Sequence, residues 1–125
     1  MPISVLIVDD TSHVRELLAS MLELDGFNVI GQASDGPSGV RASADLQPDV
    51  VIMDYSMPGM DGVETTRVIR AENPAQSVIL YTAFMDDAVR KAAIDAGAAL
   101  VVGKVDGLET LERSISELCL QLGKA

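Results

Sequence analysis

Five short apolar runs set the strongest constraint on this chain. They are residues 3–9 (ISVLIVD), 28–33 (NVIGQA), 50–53 (VVIM), 77–82 (SVILYT) and 99–103 (ALVVG). Each is rich in β-branched residues and has the length of a strand. Between them lie stretches with helical spacing. In the first, Val14, Leu17, Leu18, Met21 and Leu22 recur along one face, with Thr11 or Ser12 as N-cap and Gly26 as the stop. A short helix over 35–44 carries Pro37 in its first turn, where a missing N–H is harmless. Pro58-Gly59 and Asp61-Gly62 mark a loop before a helix over 63–71, and an Ala-rich helix covers 86–96. The last helix, 108–122, shows an apolar face of Leu108, Leu111, Ile115, Leu118, Cys119 and Leu122.

Strict alternation of strand and helix predicts an α/β fold: a doubly wound, five-stranded parallel sheet with helices on both faces. Strands that are apolar without interruption are covered on both sides, and the more polar 28–33 run belongs at an edge. A chain of 125 residues fits one domain, residues 1–125. With 48% apolar residues it is not disordered, and with 3% aromatics its core must be aliphatic. A net charge of -10 argues against direct nucleic-acid binding, which needs clustered Lys and Arg. The single Cys119 rules out an intrachain disulfide or a Cys-based zinc site. No signal peptide or membrane-length apolar run is present, so the expectation is a cytoplasmic chain without membrane insertion.

Ligands of parallel α/β sheets bind beyond the carboxyl ends of the strands. Here those ends carry Asp9-Asp10, Asp54, Thr82 and Lys104. One Asp after a strand reads as a turn former or helix cap, and a lone Thr or Lys says little. The set is what informs. Converging carboxylates repel unless something offsets them, and a hard divalent cation, Mg2+ or Mn2+, does so through oxygen ligands. One carboxylate is then free to attack phosphorus as a nucleophile, with Lys104 and the Thr82 hydroxyl on the phosphoryl oxygens.

In LIVDD (6–10), VIMDYSMPGMDG (51–62), YTA (81–83) and AGA with GK (96–104), the chain resembles the receiver domain of bacterial two-component response regulators, CheY-like proteins, over roughly residues 3–122. The resemblance implies a flavodoxin-like (βα)5 fold with strand order 2-1-3-4-5. It implies Asp54 as phosphoacceptor, with Asp10 and Asp54 ligating Mg2+ directly. Asp9 would act through metal-bound water, and the Ser56 carbonyl would add a contact. Thr82, Lys104 and the Ala83 N–H would bind the phosphoryl group. The implied donor is a phosphohistidine on a sensor histidine kinase or histidine phosphotransfer protein, and the implied receiver of the signal is an effector protein or output domain. The chain would then be a self-dephosphorylating switch rather than an enzyme on an external substrate. His13 is read as a helix-surface residue and not as the donor.

Several positions depart from that pattern. Val101 stands where relatives often carry the Tyr or Phe that reports phosphorylation. Tyr81 precedes Thr82 but points to the opposite face of its strand, so it cannot substitute. The loop over 83–87 is then expected to carry the signal. Val105 replaces a common Pro, so the Lys104–Val105 bond is expected trans. Ser56 and Ala83, at positions the resemblance links to phosphate lifetime, are small and leave room for attacking water. The fourth helix, fifth strand and fifth helix form the partner or homodimer face implied by the family. Leu120 lies opposite the apolar stripe of the last helix and is expected to be exposed; Cys119 belongs in the core. No output domain follows the last helix in this sequence, which suits a stand-alone regulator or a piece of a longer protein.

Two other readings compete. A phosphatase similar to the haloacid dehalogenases would also use Asp, Thr and Lys. It would place DxD after the first strand and insert a cap; this chain has DDT there and no cap. A degenerate module without phosphorylation would lack some of the five functional side chains, and all are filled.

Overall fold

The computed structural model describes residues 2–123. In chain order the elements are β1 (Ser4–Val8), α1 (Ser12–Leu24), β2 (Asn28–Ala33), α2 (Gly36–Leu46), β3 (Val50–Met53), α3 (Gly62–Glu72), β4 (Ser77–Thr82), α4 (Asp87–Asp95), β5 (Leu100–Gly103) and α5 (Leu108–Gln121), with a short 3-10 turn at Lys104–Asp106. The strands form one sheet in the order β2-β1-β3-β4-β5, as expected. All neighbours pair in parallel, and β2 lies at an edge. The β1–β2 register slips once, so that Val5 faces Val29 and Leu6 faces Gly31.

Alternate side chains of each strand feed two separate cores, which is why the runs are apolar throughout. Val5, Ile7, Val50, Ile52, Ile79 and Val102 pack against Ala19 and Leu22 of α1 and Leu111, Ile115 and Cys119 of α5. Leu6, Val8, Val51, Met53, Val78 and Leu80 face the other way, toward Val63 and Ile69 of α3 and Ala93 of α4. Three helices begin at an Asp N-cap: Asp35 accepts from the Ser38 N–H, Asp61 from Glu64 and Asp86 from Val89. Gly26, at φ +97°, takes the left-handed conformation that ends α1.

The sequence-derived stripes need two corrections. On α1 the face that meets the sheet is Leu18, Ala19 and Leu22; Leu17 is 62% exposed and Met21 42%. Leu17 and Met21 sit on the flank of the helix nearest the first turn of α5, where they line a groove rather than the core. On α5 the buried stripe stops at Cys119, and Leu122 is 52% exposed. That helix has 14 residues, about 21 Å. The β5 strand beneath it has four, about 13 Å, so the last turn overhangs the sheet. Cys119 is fully buried and Leu120 exposed, as expected. No cis peptide bond occurs among the described residues, so Lys104–Val105 is trans.

Candidate functional site at the carboxyl edge of the sheet

Register builds the site. Val8 pairs with Met53, so the next residues, Asp9 and Asp54, leave the sheet side by side. The Asp54 N–H still donates to the Val8 carbonyl at 2.9 Å, which fixes its backbone as rigidly as the strand itself. Thr82 pairs with Gly103, which brings Lys104 to the same edge. Asp9, Asp54 and Thr82 are all buried, while Asp10 is exposed at the rim.

Carboxylate oxygens of Asp9, Asp10 and Asp54 lie within 4.8 Å of one another. The Lys104 ammonium stands between two of them, 3.5 Å from Asp9 Oδ2 and 3.4 Å from Asp54 Oδ1. One cation does not balance three close anions. Burial pushes the Asp54 carboxyl above its ordinary value; Lys104 opposes this, and the charges of Asp9 and Asp10 reinforce it. A small all-oxygen cluster with surplus negative charge, partly open to solvent, suits a hard divalent cation. Asp9, Asp10 and Asp54 are therefore the side chains that fit one.

Several residues at this edge are held from behind. Asp9 Oδ1 accepts the Thr11 N–H at 2.9 Å, and its carbonyl accepts Arg15 Nη1 at 2.8 Å. Lys104 Nζ lies 5.8 Å from the centre of the Tyr81 ring, within cation–π range. Tyr81 packs in the α1/α5 core, on the opposite side of β4 from Thr82's neighbour Leu80, as strand alternation requires. The Thr82 hydroxyl accepts the Phe84 N–H at 2.8 Å. The Phe84 ring, 57% exposed, meets Tyr55 edge-on at 6.2 Å between centroids. Gly62 approaches so closely that a Cβ there would lie 2.2 Å from the Asp54 carbonyl oxygen, and its N–H donates to Tyr55 O at 2.8 Å. The first turn of α3 is thus pressed onto the backbone of Asp54.

Ser56 and Ala83, which follow Asp54 and Thr82 in the chain, are exposed, and His13 is exposed on α1. Val101 is half-buried in the core facing α4. Beside the mouth, Val14, Leu17, Leu18, Met21, Tyr81 and Leu108 line an apolar groove of ≈ 190 Å³ that reaches Asp9 and Lys104. Of the residues singled out in the sequence, the structure brings Asp9, Asp10, Asp54 and Lys104 together and places Thr82 at the end of β4, opposite Gly103. Sequence reading missed Arg15, Gly62 and Phe84. Asp61-Gly62 was legible as a turn but not as a close approach, and nothing local distinguishes Arg15 from other polar residues of α1.

Comparison with known proteins agrees with this geometry. Residues 5–116 match the family model described as the response regulator receiver domain. The transcriptional regulatory protein LiaR of Bacillus subtilis is 46% identical over 97 residues, 77% of this chain and 46% of LiaR. The chain spans about half the length of the curated regulators it matches, such as LiaR (46%) and GacA (53%). The signal receiver domain of the putative response regulator NarL from Mycobacterium tuberculosis superposes with a TM-score of 0.83 at 31% identity, over 99% of this chain and 98% of that one. The CheY in a CheX–CheY–BeF3–Mg2+ complex from Borrelia burgdorferi does so with a TM-score of 0.84 at 29% identity, over 94% and 90%.

Proposed function

The chain belongs to the response regulator receiver domain family, and on that premise we propose that it is a phosphorylation switch with Asp54 as the phosphoacceptor. The observation that carries this reading is the convergence of Asp54 with Asp9, Asp10 and Lys104 at one sheet edge. An Asp54 carboxylate oxygen attacks the phosphorus of a phosphohistidine on a sensor histidine kinase or histidine phosphotransfer protein. The P–O bond forms as the P–N bond breaks, and the imidazole leaves. The Lys104 ammonium, the Thr82 hydroxyl and the Ala83 N–H receive the charge on the phosphoryl oxygens. Asp9, Asp10, Asp54 and the Ser56 carbonyl would hold Mg2+ or Mn2+. When bound, that cation offsets the carboxylate repulsion and part of the phosphoryl charge. The relative from Borrelia burgdorferi, crystallised with BeF3 and Mg2+, supports this ligand chemistry.

Water then hydrolyses the acyl phosphate, and the small side chains of Ser56 and Ala83 leave its path open. The chain consumes and restores its own carboxylate, so it assists its own phosphorylation without turning over an external product. The phosphorylated form alters binding of a downstream effector or output domain, and the α4, β5 and α5 face is the surface for that partner or for a homodimer. Residues 1–125 act as one receiver unit in the cytoplasm. Among the described residues no helix is long and apolar enough to cross a membrane. The net charge of -10 speaks against direct nucleic-acid contact by this unit.

Incubation with acetyl phosphate or phosphoramidate and Mg2+, read by intact mass, tests the assignment. One added phosphate in the wild type and none in Asp54→Ala is expected. An adduct that survives Asp54→Ala sinks it.

A further inference from the structure

Arg15 touches the backbone of the acidic pair. Its Nη1 donates to the Asp9 carbonyl at 2.8 Å, and its Nε donates to Gln32 Oε1 at 3.2 Å. The guanidinium therefore reaches from α1, over the end of β1, to the edge strand β2. The sheet ladder runs out here: the Asp9 N–H donates to Ala33 O, while the Asp9 carbonyl belongs to the peptide that leads to Asp10. Arg15 supplies that carbonyl with its partner. Asp9 is then fixed at its N–H, its carbonyl and, through Thr11, its carboxylate. Asp10 is held far less: its carboxylate is exposed, with one long contact of 3.5 Å to the Thr11 hydroxyl. Asp10 is attached to the peptide whose carbonyl Arg15 holds.

We infer that Arg15 is a positioning residue for the cation site, acting through the Asp9 carbonyl to keep the Asp9 and Asp10 carboxylates turned toward Asp54. The inference rests on the cation-binding reading of that cluster. Groups one shell out from metal ligands commonly cost about 10–100-fold in metal affinity when removed. A planar fork that bonds two acceptors in fixed directions suits this task better than the single ammonium of a lysine.

The sign of the effect separates positioning from simple charge. Removing a cation bonded to the Asp9 backbone would, by Coulomb attraction alone, tighten Mg2+ binding. Loss of positioning loosens it. Calorimetric titration of the intact chain with Mg2+ at fixed ionic strength reads the difference. Arg15→Ala is expected to raise the Mg2+ Kd about tenfold, with Arg15→Lys in between. The Asp10 amide resonance should broaden or move in metal-free Arg15→Ala. Saturating Mg2+ should restore its phosphorylation by acetyl phosphate, which general structural damage would not allow. If Arg15→Ala does not fold, Gln32→Leu decides: it keeps the charge of Arg15 but frees its direction, and a weaker Mg2+ affinity is expected. Unchanged or tighter binding in the folded variant overturns the inference alone. A wild-type chain that takes up no Mg2+ overturns the cation-site reading, and this inference with it.

Discussion

The Thr82 hydroxyl accepts a 2.8 Å hydrogen bond from the Phe84 N–H, so the last residue of β4 and the first aromatic of the following loop are tied together. Phe84 in turn lies edge-on to Tyr55, the neighbour of Asp54. If Asp54 accepts a phosphoryl group as proposed, drawing the Thr82 hydroxyl toward it would stretch this bond and release the loop. Beryllofluoride with Mg2+ should therefore move the amide resonances of 83–87 most, the Phe84 amide above all. In Thr82→Ala the same addition should still bind at Asp54 but shift the Phe84 amide by less than half as much. Equal shifts in the two proteins would show that this bond does not carry the signal.

Val101 marks what the loop must compensate for. It is half-buried against the core that faces α4, and it has no ring to swing when Thr82 moves. Val101→Tyr places an aromatic there. The phosphorylation-dependent shifts along α4 and β5 should then grow, about twofold or more, while adduct formation at Asp54 stays intact. An unchanged NMR response would mean that the coupling never needed a side chain at this position.

Gly62 offers a test of how the scaffold fixes Asp54. A Cβ at this position would meet the Asp54 carbonyl oxygen at 2.2 Å and the Tyr55 Cα at 2.8 Å, both backbone atoms that cannot rotate away. Gly62→Ala must push the start of α3 off the end of β3. Overpacking of this kind costs about 1–3 kcal/mol, and denaturant unfolding should show it. The rate of phosphorylation by acetyl phosphate should fall with it, because the displaced backbone is that of Asp54. A variant with wild-type stability and rate would show that the two segments separate freely.

The parallel sheet, its edge strand and the polar side chains at its carboxyl edge were legible from periodicity and from what ends each strand, whereas the order β2-β1-β3-β4-β5 followed from the family resemblance alone. VVIM at 50–53 has no polar face, so it had to lie centrally, and Asp54 follows wherever it ends. The misread residues have a common cause. Leu17 and Met21 fit a helical apolar face by spacing, but spacing does not say which part of a broad stripe meets the sheet. Leu122 was assigned to the core because the pattern continues past the point where the strand beneath stops. Arg15 and Phe84 act through a backbone carbonyl and a backbone N–H. Contacts of that kind depend on tertiary placement and leave no periodic trace.

Away from the site, Glu112 makes stability depend on pH near neutrality. Its Oε2 is buried and has no hydrogen-bond partner. Burial, then the carboxyl of Asp25 at the end of α1, then the charge of Glu109 push its carboxyl up from 4.5 to about 7. The folded chain thus keeps a proton that the unfolded chain releases at lower pH. The stability from this group is fully present below 4.5 and is lost as pH rises through about 7. Solvent screening limits the effect to about 1 kcal/mol, a few degrees in Tm. Glu112→Gln replaces the titrating acid with an amide that donates to Asp25 at every pH. Its Tm should match the wild type near pH 5 and exceed it near pH 8, where the wild type holds two facing carboxylates. Parallel pH profiles of Tm for the two proteins would exclude Glu112 as the titrating group.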